Sequence, residues 1–202
     1  LGIAEDLVAP IFWLQTCGFP GDGEALNALT ALDEGRVAHE FPDLFSLSND
    51  VERTSGTLSG IYLSAVGCDS LQLGWPRQGK EIHFLNVDSP LLFAAALLLA
   101  YRRVKTDLAL SIETEIYVLS SAPNGEVLCR QKEPGKESGG AQGVAGIRLW
   151  VSNDAVDHSS GTLLLDAAKE AQLQRICETE GLCASPESIR GLKSLADRLL
   201  VP

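Results

Sequence analysis

The sequence predicts an α+β fold, in which a small, mostly antiparallel sheet packs on a central buried helix and further helices lie at the N- and C-terminal ends. Three observations lead to this prediction. Residues 86–104 are apolar on every side of a helix. Residues 107–152 contain runs with the two-residue alternation of strands, and the two ends of the chain have the three-to-four-residue apolar spacing of helices. A length of 202 residues fits one domain spanning residues 1–202.

The central helix is well marked at both ends. Asp88 or Ser89 can cap it, and Pro90 suits the first helical position. Arg102 and Arg103 follow the apolar run, where cations favour the negative end of the helix dipole. An apolar run of about eleven residues reaches only about 16 Å, whereas a bilayer core needs about 30 Å. We therefore expect a buried helix and no membrane span.

The segments before the central helix are less uniform. An amphipathic helix is predicted over residues 1–16, and the interior Pro10 is expected to kink it or to divide it in two. The next segments are a second helix (residues 24–33), a stretch that fits either a strand or a short helix (56–66), and two strands (71–75 and 81–87).

The segments after the central helix alternate between strand and helix patterns. A long strand is predicted over residues 107–119, and the turn Ala122 to Gly125 joins it to the following strand as a hairpin. A glycine-rich stretch, at about 131–146, is predicted to be a mobile loop because it has little apolar surface to bury. The remaining predictions are a strand over 147–152, a helix over 163–180, and a last helix capped by Ser185 with Pro186 as its first residue.

Charge and cysteine content exclude several functional classes. The net charge of −11 argues against nucleic-acid binding and against anionic membranes, which both require clustered lysine and arginine. The five cysteines are scattered, include no CxxC pair and have no histidine cluster to complete a zinc site. No secretory signal is recognised at the N-terminus. We therefore expect an acidic, cytoplasmic protein with reduced thiols, no metal and no cofactor.

The nearest pattern to a catalytic site is the polar run from Asn153 to Ser160. Asp157 and His158 are adjacent within it, and a histidine beside a carboxylate can perform acid–base chemistry or activate a nucleophile. The same composition between a strand and a helix is typical of an ordinary turn. Glu113 and Glu115 on one strand face permit paired-carboxylate chemistry or form a plain solvated edge. His39 and His83 are weaker candidates for metal binding, and a structural role suits each of them equally.

Several short motifs resemble a bacterial family known as domain of unknown function 3726. The motifs are Gly2 to Asp6, Trp13-Leu14, Gly18 to Gly21, the Pro-Leu-Leu helix within residues 87–103, and Ala184 to Arg190. This chain departs from the family pattern in two places, because the helix expected before Gly2 is missing and residues 191–194 replace a glycine-rich ending. The resemblance implies a bacterial cytoplasmic protein and brings no mechanism with it.

Three functions fit these observations. The first is a non-enzymatic accessory or interaction protein beside small-molecule metabolism, with a protein partner or a second copy of itself. The second is a small-molecule hydrolase or lyase that uses Asp157 and His158, with the loop at 131–146 as a lid. The third is a small-ligand binding domain with an apolar pocket. The sequence does not separate the first function from the third.

Overall fold

The computed structural model describes residues 2–37, 44, 57–133, 146–153 and 161–199. Within these ranges the chain forms six helices and a six-stranded sheet. The elements in chain order are α1 (Gly2–Thr16), α2 (Gly21–Asp33), α3 (Gly60–Gln72), β1 (Glu81–Phe84), α4 (Pro90–Tyr101), β2 (Ala109–Glu113), β3 (Tyr117–Ser121), β4 (Val127–Gln131), β5 (Ile147–Ser152), β6 (Thr162–Leu165), α5 (Ala167–Glu180) and α6 (Pro186–Leu199).

The sheet has the strand order β1-β5-β2-β3-β4-β6, and every neighbouring pair is antiparallel. In β5, for example, Ile147, Leu149 and Val151 are buried in the core, whereas the residues between them are half-buried on the other face. This alternation is the period of two that a strand with one core-facing side must have. The predicted α+β fold with an antiparallel sheet is therefore confirmed.

Helix α4 lies at the centre of the core. All eight residues from Leu91 to Leu98 are buried, so the helix packs against the sheet on one side and against α1 and α3 on the others. A Cβ on Gly67 of α3 would lie 2.8 Å from Leu97 of α4, which shows how closely these two helices approach. The prediction that a fully apolar helix of this length is a central buried element is confirmed.

The N-terminus of α4 is capped from another helix. Pro90 occupies the first turn as predicted, but the side chain of the capping residue Ser89 makes no capping bond. The carboxylate of Glu24 in α2 instead accepts from the Leu92 N–H at 3.3 Å. The other predicted cap, Asp88, accepts from the Gly60 N–H at 2.7 Å, at the start of α3. Tertiary contacts therefore decide the caps: Glu24 of α2 caps α4, and Asp88, a predicted cap of α4, caps α3 instead.

The long strand predicted over residues 107–119 is wrong. The chain turns back after Glu113, so that β2 and β3 form a hairpin. The hydroxyl of Thr114 accepts from the Tyr117 N–H at 3.0 Å, and the Thr114 N–H donates to the Tyr117 carbonyl. These bonds close a tight turn, which lets two short strands pair with each other. The expectation that Glu113 and Glu115 share a strand face fails for the same reason, since Glu115 lies exposed in the turn.

Two other assignments need correction. The strand predicted over 71–75 is wrong, because Leu71 and Gln72 complete α3 and the chain then turns at Gly74, whose φ is +81°. The helix predicted over 163–180 begins late, because Thr162–Leu165 is strand β6, paired with β4. In both places a short apolar run fits a helix and a strand equally well, and neighbouring elements decide the outcome.

Helix α1 continues past Pro10 to Thr16 as one element, so the alternative of two separate helices is wrong. Leu7 on one side of the proline and Trp13 and Leu14 on the other are all buried, and burial of both halves offsets the missing backbone bond. Among the described residues no helix is both long and apolar enough to cross a membrane.

Several predictions from local sequence are confirmed. The turn from Ala122 to Gly125 joins β3 and β4 as a hairpin, with Gly125 at φ +82°. The strand over 147–152 has the predicted bounds. Helix α6 begins at Pro186, and the Ser185 hydroxyl accepts from the Ser188 N–H at 2.9 Å as its cap. β4 extends to Gln131, and residues 134–145 of the predicted glycine-rich loop lie outside the described residues.

Candidate functional site

A groove of about 230 Å³ separates the C-terminal half of α1 from α5. Its walls combine aromatic rings with a few polar groups, the composition that small-molecule sites favour. The Phe12 side chain is 55% exposed at the edge, whereas Trp13 and Thr16 are buried at the base. The lining residues are Phe12, Trp13 and Thr16 from α1 and Gln174, Cys177 and Glu178 from α5.

The groove exists because α5 is held to the core mainly by a polar contact. Of the α5 residues only Glu170 is buried. Its carboxylate accepts from the Trp13 indole nitrogen at 2.6 Å and from the Arg102 guanidinium at 2.8 and 2.6 Å. Arg102 follows the last residue of α4, where a cation suits the negative helix end. Glu170 fixes the first turn of α5, and the half-buried Leu173 packs against the core in the next turn, whereas the later turns leave a gap against α1.

Thr16 presents an unusual polar group at the base of the groove. The residue is 4% exposed, yet its hydroxyl has no hydrogen-bond partner among the described residues. Buried hydroxyl groups are nearly always hydrogen-bonded, because an unpaired one loses its contacts with water and gains nothing in return. Thr16 also lines the groove, and although its hydroxyl oxygen is shielded in this conformation, rotation about the Cα–Cβ bond would turn it toward a molecule bound there.

Two buried cysteine thiols, those of Cys17 and Cys129, are unreactive at neutral pH. Burial raises the pKa of Cys17 to about 12, and the nearby Glu170 carboxylate acts in the same direction, whereas Arg102 acts against it. Burial likewise raises the pKa of Cys129 to about 12. Both thiols are therefore protonated at neutral pH and lack the thiolate that nucleophilic chemistry needs. All five cysteines are free of disulfides.

A second cluster lies where the N-termini of α3 and α4 meet. Burial raises the pKa of the Glu24 carboxyl, the hydrogen bond from Leu92 lowers it, and the neighbouring Asp88 raises it further. Burial also raises the pKa of Asp88 against the hydrogen bond from Gly60. Two carboxyl groups of raised pKa thus adjoin each other, and both act as helix caps. No local pattern in the sequence indicates this pair, because 64 positions separate its members.

Charged side chains also connect the strands on the sheet face that points away from the core. Glu113 binds Lys132 at 2.9 Å and Arg148 at 2.5 Å, and the Arg148 guanidinium lies 4.7 Å from the centre of the Trp150 ring. Burial tends to raise the pKa of Glu113, but the two cations hold it below its usual value. Glu113 is therefore an ion-pair residue, and the paired-carboxylate hypothesis with Glu115 is not supported.

The strongest catalytic candidates from the sequence, Asp157 and His158, lie outside the described residues, as does His39. His83 lies in β1, where its Nε2 is 2.8 Å from a Glu81 carboxylate oxygen, as expected of a structural histidine. Within the described part of the chain, no group of three or more histidine, cysteine or acidic residues has the arrangement to hold a metal ion.

Polar contacts join the segment around the start of α2 to the segment that precedes α6. The Asp22 carboxylate, directly after Gly18 to Gly21, accepts from the Ser185 N–H at 2.6 Å. The Gln15 amide donates to the Cys183 carbonyl and accepts from the Asp22 N–H. Asp22 and Gln15 thereby join the start of α2 to the start of α6. Comparison with protein-family models, curated proteins and solved structures found no match of any of the three kinds.

Proposed function

We propose that this protein is a non-enzymatic binding protein whose groove between α1 and α5 receives a small molecule with an apolar body. The observation that carries this proposal is the buried, unpartnered hydroxyl of Thr16 at the base of that groove. The apolar walls supply affinity by removing ligand surface from water, and the hydroxyl supplies orientation.

The chemistry around the groove supports binding rather than catalysis. The Glu170 carboxylate is already hydrogen-bonded to Trp13 and Arg102, so its oxygens are occupied by contacts within the protein. The adjacent Cys17 thiol has a pKa of about 12 and is not a ready nucleophile. A hydrolase or lyase that uses Asp157 and His158 stays an alternative prediction, since these residues lie outside the described ranges.

A second candidate function is self-association through α1. Val8 is 63% exposed and Phe12 is 55% exposed, and a spacing of four residues places them on one side of the helix. Large apolar side chains grouped on one helix face favour a protein interface, and the partner we propose is a second copy of this chain. Phe12→Glu should then convert an assembly of higher mass to the monomer in light scattering, and a monomeric native chain would refute this candidate.

The setting that we propose is the bacterial cytoplasm, beside small-molecule metabolism. The free cysteines support a reducing compartment. The bacterial origin and the metabolic setting rest on the resemblance of the motifs at residues 2–21 and 184–190 to domain of unknown function 3726.

A thermal-shift screen of the purified protein against soluble metabolites tests the binding function. A compound that binds only the folded state raises the melting temperature by mass action. Each hit is then measured on two variants. Cys177→Phe fills the groove, whereas Ile176→Phe adds the same ring at a neighbouring position, 39% exposed, that does not line it. Binding in the groove predicts loss of the shift in Cys177→Phe and its retention in Ile176→Phe.

Thr16→Val is a second variant that does not depend on how the phenylalanine packs. It keeps the shape of the side chain but removes the hydroxyl, so a ligand bonded to Thr16 should bind more weakly, whereas the fold should be as stable or more stable. The proposal is overturned if no compound shifts the melting temperature, or if every shift survives in both Cys177→Phe and Thr16→Val.

A further inference from the structure

We infer that the ligand of the α1–α5 groove is an organic cation, namely a protonated amine attached to an apolar body. This inference rests on the proposed function and adds the chemical class of the ligand. It comes from the electrostatics of the groove, which is lined by the C-terminal turns of its two helices.

The C-terminal turns of both helices line the groove. Thr16 is the last residue of α1, and Cys177 and Glu178 lie in the last turn of α5, which ends at Glu180. The negative ends of both helix dipoles therefore lie beside the groove.

Little within the two helices compensates these ends, because Arg175 of α5 is exposed and does not line the groove. Neither α1 nor α5 has a basic residue in its last turn. Glu178, in the last turn of α5, adds a full negative charge to the lining. Arg102, the cation beneath the groove, is already paired with Glu170. The site therefore favours a positive group over a neutral one, and a carboxylate or phosphate group would be repelled.

Two lining groups match an ammonium in particular. Phe12 is exposed in the lining, and the face of an aromatic ring attracts a cation, an interaction that strengthens as the cation loses water. The Thr16 hydroxyl oxygen has no partner among the described residues, and it can accept an ammonium N–H once the side chain rotates toward the groove. An amine on an alkyl or aryl chain would then place its chain against Phe12 and Trp13 and its nitrogen between Thr16 and Glu178.

Three probes of equal chain length separate charge from apolar contact. They are n-octylamine, 1-octanol and sodium octanoate, measured by isothermal titration calorimetry on the full chain at pH 7, where an alkylamine is protonated as lysine is. We expect octylamine to bind at least about tenfold more tightly than octanol, an advantage that should shrink with added salt, and octanoate to bind most weakly.

The variant Glu178→Gln tests the charge with little effect on the fold, because Glu178 is exposed. We expect octylamine affinity to fall by up to about fivefold, the upper end for an exposed ion pair, and octanol affinity to stay unchanged. Glu180→Gln is the matched control, since it removes the same charge from the same exposed helix end at a position that does not line the groove. It should change octylamine affinity much less.

The outcomes distinguish the inference from the proposed function. If octanol or octanoate binds as tightly as octylamine, and Cys177→Phe abolishes that binding, the groove is a ligand site and the cation inference is wrong. If Glu178→Gln and Glu180→Gln weaken octylamine equally, the effect is one of overall charge and the inference is again wrong. If no probe binds and the metabolite screen gives no hit, both proposals fail together.

Discussion

The indole nitrogen of Trp13 lies 2.6 Å from a carboxylate oxygen of Glu170, a residue 157 positions later in the chain. Both residues are buried, and the same carboxylate pairs with Arg102 at the end of the central helix. One acidic side chain therefore joins the first helix, the central helix and the fifth helix. The groove between α1 and α5 depends on this junction for its shape.

Glu170→Gln should destabilise the fold by about 2–4 kcal/mol, because it leaves the half-buried Arg102 cation without its partner. Urea unfolding measures the change. Glu180→Gln removes an exposed charge from the same helix and should change the free energy of unfolding by less than about 0.5 kcal/mol. In a double-mutant cycle with Arg102→Met, the second change should recover much of the loss, and additive effects would contradict a direct ion pair.

Glu24→Gln should flatten the pH dependence of stability. Burial raises the pKa of Glu24 in the folded state above its usual value of 4.5. The folded chain then binds this proton more tightly than the unfolded chain, so stability declines as pH rises through the raised pKa. The amide keeps an oxygen that accepts from Leu92 but cannot ionise. Unfolding free energies from about pH 4 to about pH 8 should fall less steeply in the variant than in the native chain.

Asp22 in the same helix provides a control of opposite sign. Its slight burial tends to raise its pKa, but hydrogen bonds from the Ser185 and Gly23 N–H groups lower it overall. Asp22 therefore contributes stability above its usual pKa of 3.8 and loses that contribution as the pH falls. Asp22→Asn should weaken the protein at neutral pH more than at acid pH. A common pH trend in the two variants would refute the assignment.

Thiol labelling should follow burial. Cys183 is exposed, whereas the pKa of both Cys17 and Cys129 is raised to about 12 by burial. At pH 8 only about one in ten thousand of these two thiols is a thiolate, the reactive form. Alkylation of the native protein should therefore modify Cys183 first and leave Cys17 and Cys129 unmodified until urea unfolds the chain. Peptide mass spectrometry identifies the modified residues. Rapid modification of native Cys17 would contradict the buried site.

Two glycines of α2 should respond oppositely to alanine. A Cβ at Gly21 would collide with the backbone carbonyl oxygen of Ile11, so Gly21→Ala should push α1 and α2 apart and cost about 1–3 kcal/mol. A Cβ at Gly23 would lie 3.7 Å from Pro20, an ordinary contact, so Gly23→Ala should be neutral or stabilise the helix by up to about 1 kcal/mol. Urea unfolding compares them, and equal effects would refute the close approach of the helices.

The sequence indicated correctly those elements whose signals are local. The apolar run that became α4, the Pro123-Asn124-Gly125 turn, the alternation of β5 and the Ser185 cap each depend on residues a few positions apart. Short apolar runs were misassigned, as at residues 71–75 and 163–165, because their helix and strand patterns are alike. The hairpin turn at Thr114 was not predicted, because the alternation of apolar and polar residues continues across it. For the candidate site, the sequence indicated Arg102 at the end of the central helix but did not indicate Glu170, with which Arg102 pairs.

By itself, the sequence determined the fold class and the buried place of α4, because hydrophobic periodicity and turn residues act over a single helix turn or strand pair. Only the tertiary structure decided that Trp13, Arg102 and Glu170 meet, that Glu24 caps α4, and that Thr16 faces a groove without a partner. The physical reason is that these contacts join residues tens to more than a hundred positions apart. Their geometry follows from how the helices pack on the sheet, which no short stretch of the chain encodes.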